Sequence, residues 1–157
     1  MGTGDALSAQ LAAKVNEVKD AVAGMSEEQA AQTKGEGEWS AKQVLSHLCG
    51  DNDALSMYEF SRFLNEEMPD LGIGPGRYGD NRKGATVPEL VAKLDADYAA
   101  IGTFLSGLND EQLGRKARVT MLKETPLGEY PTLGQWAGAM INYHLADHVN
   151  QLRALSA

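Results

Sequence analysis

Cysteine is nearly absent from this sequence, because Cys49 is the one cysteine in 157 residues. A single cysteine cannot close an internal disulfide, which excludes the small disulfide-stapled secreted domains. The chain also lacks an apolar run of roughly 18 residues, the length that a membrane-spanning helix requires. Its first residues lack the basic segment of a signal peptide. These absences predict a soluble cytoplasmic protein without a membrane partner.

Basic residues are too few for a protein that binds nucleic acid. Lysine and arginine together number 14 against 22 aspartates and glutamates, so the net charge is -8. Such a surface repels the phosphate backbone of DNA or RNA. Hydrophobic residues make up 43% and charged residues 23%, the proportions of an ordinary globular protein. A chain of this length is expected to form a single domain over residues 1–157.

Strand-like alternation is missing as well, whereas helical periodicity is frequent. Apolar residues recur every three or four positions in four long segments. The predicted helices cover roughly residues 5–23, 40–67, 86–106 and 132–155. Each of the last three begins with Ser or Thr followed three residues later by Glu or Gln, which is a capping box. The pattern predicts an all-α fold, a four-helix bundle with long loops before the third and fourth helices.

The two long loops contain most of the candidates for binding an anion. Residues 68–85 include five glycines and two prolines, and a loop of this length in a compact domain is often functional. Arg77 and Arg82 lie there, and Arg115 lies in the second loop. These guanidinium groups are candidates for binding the carboxylates of a cofactor or substrate. Ordinary solvent-exposed loop charges are the alternative.

Histidine is also scarce, with three residues that all fall inside predicted helices. His144 and His148 are four positions apart, so they lie one turn apart on one face of the fourth helix. His47 lies beside the apolar stripe of the second helix, and a bundle can bring the three imidazoles together. Neutral imidazoles bind zinc, nickel, copper or iron, and three of them leave positions open for water or substrate. Buried core histidines with structural hydrogen bonds are the alternative.

Other catalytic patterns are absent. Leu145 follows His144, so the glutamate base of the HExxH proteases is missing. No glutamate lies three residues before a histidine, which excludes a ferritin-like di-iron bundle. Asp51 follows His47 by one helical turn and is a candidate to orient that imidazole or to act as a general base. A solvent-exposed acid at this position is the alternative.

The residues around the histidines resemble the DinB/YfiT-like superfamily. The matching features are Trp39-Ser40 before the second helix, His47 within it, and His144-Leu-Ala-Asp-His148 on the last helix. The resemblance spans nearly the whole chain. It implies a four-helix bundle that holds one divalent metal ion through His47, His144 and His148, with zinc or nickel before manganese or iron. It also makes a homodimer an expectation.

Characterised members of this superfamily include thiol-dependent S-transferases. The resemblance therefore implies a metal-dependent enzyme that transfers a low-molecular-weight thiol to a small electrophilic substrate. A thiol that coordinates the metal is deprotonated, and the thiolate is the nucleophile. A metal-dependent hydrolase that activates water is one alternative. A non-catalytic metal- or ligand-binding stress-response module is the other.

Overall fold

The computed structural model describes residues 2–49, 59–71 and 84–156. These ranges contain no β-strand, and their extended pairing is limited to two isolated bridges. No described helix is long and apolar enough to cross a membrane. The described elements are α1 (Thr3–Val22), α2 (Glu27–Ala31), α3 (Ala41–Leu48), α4 (Arg62–Asn65), α5 (Val87–Ser106), α6 (Asp110–Leu113), a 3-10 helix (Thr120–Leu122), α7 (Leu133–Ala139), a π-helical segment (Met140–Leu145) and α8 (Ala146–Ser156).

The predicted capping residues begin three of the long helices. At the start of α3, Ser40 Oγ accepts a hydrogen bond from the Gln43 N–H at 3.2 Å, and Gln43 Oε1 accepts one from the Ser40 N–H at 2.8 Å. Thr132 and Gln135 form the same reciprocal pair before α7. The Thr86 side chain accepts one bond from the first turn of α5. These bonds satisfy backbone N–H groups that a helix start leaves open, and the predicted starts are confirmed.

The second long helix is shorter than the apolar periodicity predicts. α3 ends at Leu48, and Cys49 already has extended backbone with φ -82° and ψ 143°. The prediction of a helix as far as Glu67 is therefore wrong. A glycine follows at position 50 and costs a helix roughly 1 kcal/mol relative to alanine, which favours an end at this point. Residues 50–58 lie outside the described residues, and the next described helix is α4.

The fourth long helix is a composite of three elements. α7, the π-helical segment and α8 follow one another without a break over the predicted span. A π-helical turn contains one more residue than an α-helical turn and occurs frequently at functional sites. Apolar periodicity does not distinguish the two forms, because both bury one face. The helix itself was predicted, whereas its wider turn was not.

The four long elements pack around one apolar core. α1 lies against α5 and α8, and α3 lies against the same two helices. One buried stripe of α1 consists of Leu7, Leu11, Val15, Val18 and Val22. The facing stripe of α5 consists of Leu90, Leu94, Tyr98, Ile101 and Leu105. The predicted four-helix bundle is confirmed, and a long loop precedes α7 as expected.

α1 approaches the end of α5 so closely that only glycine fits at position 4. A Cβ atom on Gly4 would lie 2.2 Å from the carbonyl oxygen of Leu105 and 3.1 Å from that of Leu108. Both neighbours are backbone atoms, so a side chain there would force the two segments apart. A Cβ on Gly138 in α7 would meet no atom within 4 Å.

Replacing Gly4 with alanine is expected to lower the free energy of unfolding by roughly 1–3 kcal/mol, the usual cost of overpacking. Gly138→Ala is the matched control, because an alanine fits there and should raise the free energy of unfolding by up to about 1 kcal/mol. Urea unfolding followed by circular dichroism measures both changes. Stabilisation of both variants would contradict the close approach at Gly4.

Glu27 connects α2 to two other helices. Its carboxylate pairs with Lys42 of α3 at 2.8 Å and accepts a hydrogen bond from the backbone N–H of Val87, the first residue of α5, at 3.1 Å. The bond from Lys42, followed by the bond from Val87, holds the pKa of Glu27 below its ordinary value of 4.5. The ionised carboxylate therefore stabilises the folded chain.

The pKa of Glu27 is lower in the folded than in the unfolded chain. Its carboxylate therefore stabilises the folded state above pH 4.5, and this stabilisation is lost as the pH falls through the pKa that Glu27 has in the folded chain. We expect Glu27→Gln to lower the melting temperature by about 1–3 °C at pH 7, since surface ion pairs contribute little. The effect should shrink toward pH 3. Glu28→Gln, at an exposed position in the same first turn, is the control. A pH-independent effect of Glu27→Gln would contradict this role.

Candidate metal centre

Three imidazoles from distant parts of the chain meet at one point. His47 lies in the last turn of α3, His144 in the π-helical segment, and His148 in the first turn of α8. The Nε2 atoms of His47 and His144 are 3.1 Å apart. One ring nitrogen from each of the three residues lies within 4.8 Å of the other two. The structure thus brings together all three histidines that the sequence analysis selected.

The local sequence places each imidazole at the edge of the core. Each histidine directly precedes a buried apolar residue, namely Leu48, Leu145 and Val149. The apolar side chains anchor the backbone in the bundle, and the imidazoles themselves are half-buried. The rings of His144 and His148 lie one turn apart with centroids separated by 4.7 Å. The cluster therefore depends on core packing rather than on a loop.

Burial keeps His144 in the neutral form. Loss of hydration, with smaller contributions from the neighbouring His148 and then His47, lowers the pKa of His144 from 6.5 to about 3. The imidazole is therefore neutral at physiological pH. Neutral imidazole has the lone pair that a metal ion requires, so this environment suits a ligand.

Gln151 orients the ring of His148. Its Oε1 atom lies 2.9 Å from His148 Nδ1, one turn further along α8. An amide oxygen only accepts hydrogen bonds, so Nδ1 carries the proton and Nε2 has the free lone pair. Histidines that bind metal commonly donate their second N–H in this way. The spacing of three residues on one helix face is a signal for this pair in the sequence.

The donor set and its spacing fit a divalent metal ion. Bonds of about 2.0–2.1 Å place two ligand nitrogens of a tetrahedral zinc site roughly 3.3 Å apart. The separation between His47 and His144 is 3.1 Å. Among the described residues, no cysteine, aspartate or glutamate joins the cluster. Three protein nitrogens leave a coordination position open, which is the composition of catalytic rather than structural zinc sites.

A cleft of about 460 Å³ adjoins the cluster at His148. Its polar and aromatic lining consists of Lys34, Glu38, Trp39, His148 and Gln151. The indole ring of Trp39 lies parallel to the His148 ring with centroids 6.4 Å apart, and 5.1 Å from the centroid of His47. Trp39 is thus a wall that the cleft and the cluster share. The volume is within the usual range for sites that bind small molecules.

The other predicted site residues are not part of this arrangement. Asp51, Arg77 and Arg82 lie outside the described residues. Arg115 is exposed, donates a hydrogen bond to the carbonyl of Leu64 at 3.3 Å and does not line the cleft. Conversely, the sequence analysis missed Lys34 and Glu38. The short loop between α2 and α3 has no pattern that predicts where its side chains lie.

Comparisons with known proteins agree with this description. The family model of the DinB superfamily matches residues 10–152. The structure of YfiT from Bacillus subtilis, described as a probable metal-dependent hydrolase with an unusual four-helix bundle topology, is similar with a TM-score of 0.67 and 25% sequence identity. The match covers 98% of this chain and 85% of YfiT. A comparison with curated proteins finds no match. Because the family model covers most of its length, this chain belongs to the DinB superfamily.

Proposed function

We propose that this protein is a metal-dependent enzyme that transfers a low-molecular-weight thiol to a small electrophilic substrate. The observation that carries the proposal is the cluster of three imidazoles beside a cleft of about 460 Å³. Membership of the DinB superfamily and the similarity to a probable metal-dependent hydrolase support a metal-dependent enzyme. The thiol, the homodimer, the cytoplasmic location and the preference for zinc or nickel stay predictions from the sequence.

The chain supplies binding and orientation. When bound, a divalent ion would supply the positive charge that favours the thiolate form of a thiol at neutral pH. His47, His144 and His148 would hold the ion. Gln151 accepts a hydrogen bond from the Nδ1–H of His148, so the lone pair of Nε2 would be the one that binds the metal. Trp39, in the loop before α3, packs beside the rings of His47 and His148.

The composition of the cluster favours a thiol over water as the nucleophile. Hydrolytic metal sites commonly pair the ion with a general base, and no described carboxylate belongs to this cluster. A thiol can be deprotonated without a general base more readily than water, because its ordinary pKa of about 8.5 is already close to neutral pH. Hydrolysis is the second candidate function, and the description of YfiT favours it. In that case Glu38, in the lining of the cleft, is the described carboxylate that could serve as base.

Removing one imidazole should abolish tight metal binding. We expect His144→Ala to weaken the binding of Zn²⁺ or Ni²⁺ by roughly 100-fold or more, because changing an outer contact alone costs about 10–100-fold. Gln151→Leu removes only such an outer contact and should weaken binding by roughly 10-fold. Isothermal titration calorimetry and elemental analysis of the untagged protein measure these changes.

Asp147→Ala is the matched control for metal binding. Asp147 directly precedes His148 but is exposed, so this variant should bind metal like the unmodified protein. Circular dichroism and the melting temperature of the metal-free variants show whether each one folds. If folded His144→Ala retains full metal affinity, the metal centre is refuted.

A panel of low-molecular-weight thiols distinguishes the two candidate reactions. A thiol present at about 100 times its dissociation constant should stabilise the metal-loaded protein by roughly 2.7 kcal/mol and raise its melting temperature by several degrees. The same thiol should be transferred to a chromogenic aryl halide only in the presence of metal. Failure of every thiol, together with metal-dependent cleavage of a chromogenic ester, would favour the hydrolase. No turnover in either assay would favour a binding module.

A further inference from the structure

We infer that the cleft beside the histidine cluster recognises a small zwitterion, whose carboxylate binds to Lys34 and whose ammonium group binds to Glu38. The inference names the class of molecule that the proposed enzyme takes into this cleft, and it rests on that proposed function. The two charged residues are then specificity-determining residues, separate from the imidazoles that would hold the metal.

Lys34 is a cation held at the cleft without an acidic partner. Most described lysines and arginines of this acidic chain pair with a carboxylate, as Lys19 does with Asp95. The Lys34 ammonium group instead donates to the backbone carbonyl of Ala154 in α8, and no described carboxylate pairs with it. Because an ammonium group has three donors, two remain for a ligand. The bond to Ala154 thus places the positive charge of this exposed side chain beside the cleft.

Glu38 supplies the opposite charge through a tight turn. The Glu38 N–H donates to the Gly35 carbonyl at 3.2 Å, and Gly37 has φ +82°, the value that a type II turn requires at its third position. The turn places the Glu38 side chain in the lining of the cleft directly before Trp39. Among the residues that the structure describes, no lysine or arginine forms an ion pair with this carboxylate.

The arrangement suits a ligand with charges of both signs. Lys34 and Glu38 line one cleft, and none of the ion pairs among the described residues joins them to each other. A ligand with charge of one sign would match one of them and leave the other without a partner. A molecule with an amino acid head group would match both, and the rest of the molecule would lie beside Trp39, which lines the same cleft. His148 lies in the same lining, so the rest of the ligand can reach the cluster.

Four small thiols that differ in charge test this inference on the metal-loaded protein. Cysteine carries both charges, 3-mercaptopropionate only the carboxylate, cysteamine only the ammonium group, and 2-mercaptoethanol neither. Isothermal titration calorimetry should show that cysteine binds most tightly, with each charged contact contributing roughly 3- to 10-fold. Elemental analysis after each titration verifies that the thiol has not removed the metal.

Charge variants assign each contact. Lys34→Met should weaken the binding of cysteine and of 3-mercaptopropionate by roughly 3- to 10-fold each, and leave the binding of cysteamine unchanged. Glu38→Gln should weaken the binding of cysteine and of cysteamine, and leave the binding of 3-mercaptopropionate unchanged. Lys34→Arg keeps the positive charge, so this variant should still prefer thiols that carry a carboxylate. A purely structural role of Lys34 in the bond to Ala154 would not produce such a preference. Glu36→Gln, at an exposed acid of the same turn that does not line the cleft, is the control.

Equal affinity for the four thiols, or a uniform loss across them in both variants, would overturn the inference. If no thiol binds, the thiol function is refuted, and serine as the hydroxyl analogue of cysteine tests the cleft separately. Serine binding that Lys34→Met and Glu38→Gln each weaken would support a zwitterion site without the thiol function. Absence of serine binding in that case would overturn the inference as well.

Discussion

The packing of α3 against α8 holds together imidazoles that are 97 residues apart in the chain. Those rings contact one another, with the Nε2 atoms of His47 and His144 3.1 Å apart, and burial makes the charged form of His144 unfavourable enough to lower its pKa to about 3. The free energy that keeps them in place comes from the apolar side chains below them, Leu48 and Val149 among others. The core thus presents three imidazoles at one point, which is the donor set that a divalent ion needs.

Local signals predicted most of the helical framework. The capping boxes at Ser40 and Thr132 involve residues three apart, so the sequence alone contains both partners. The end of α3 at Leu48 was not predictable in this way. The preference against helix near position 50 is small, and the apolar periodicity that continues beyond it favours the opposite choice. The two local preferences point in opposite directions, so the sequence alone leaves the end of α3 open.

The candidate site likewise has one part that the sequence predicts and one part that it does not. The histidines could be selected because they are rare and because His144 and His148 share a helix face. The cleft depends on the loop before α3 meeting the last turns of α8, as in the bond from Lys34 to Ala154. Contacts between residues so distant in the chain leave no periodic trace. The clusters of basic residues predicted an anion site in the two long loops, whereas Lys34 lies in a short one.

The π-helical segment has a consequence for how this chain tolerates changes in length. Trp136 of α7 is packed in the core, and His148 lies in the cluster. Because of the π-helical segment, the chain between them contains one residue more than a regular α-helix would. Deleting a single residue from the segment would convert its wider turn into a regular α-helical turn and leave α8 in nearly the same orientation relative to α7, because the wider turn already accommodates the extra residue. Deleting a residue from α7 or α8 themselves would instead rotate the two sides of the helix by about 100° relative to each other and take Val149 and Leu152, or His148, out of place. The π-helical segment is therefore a point at which this helix can lose one residue and keep its packing.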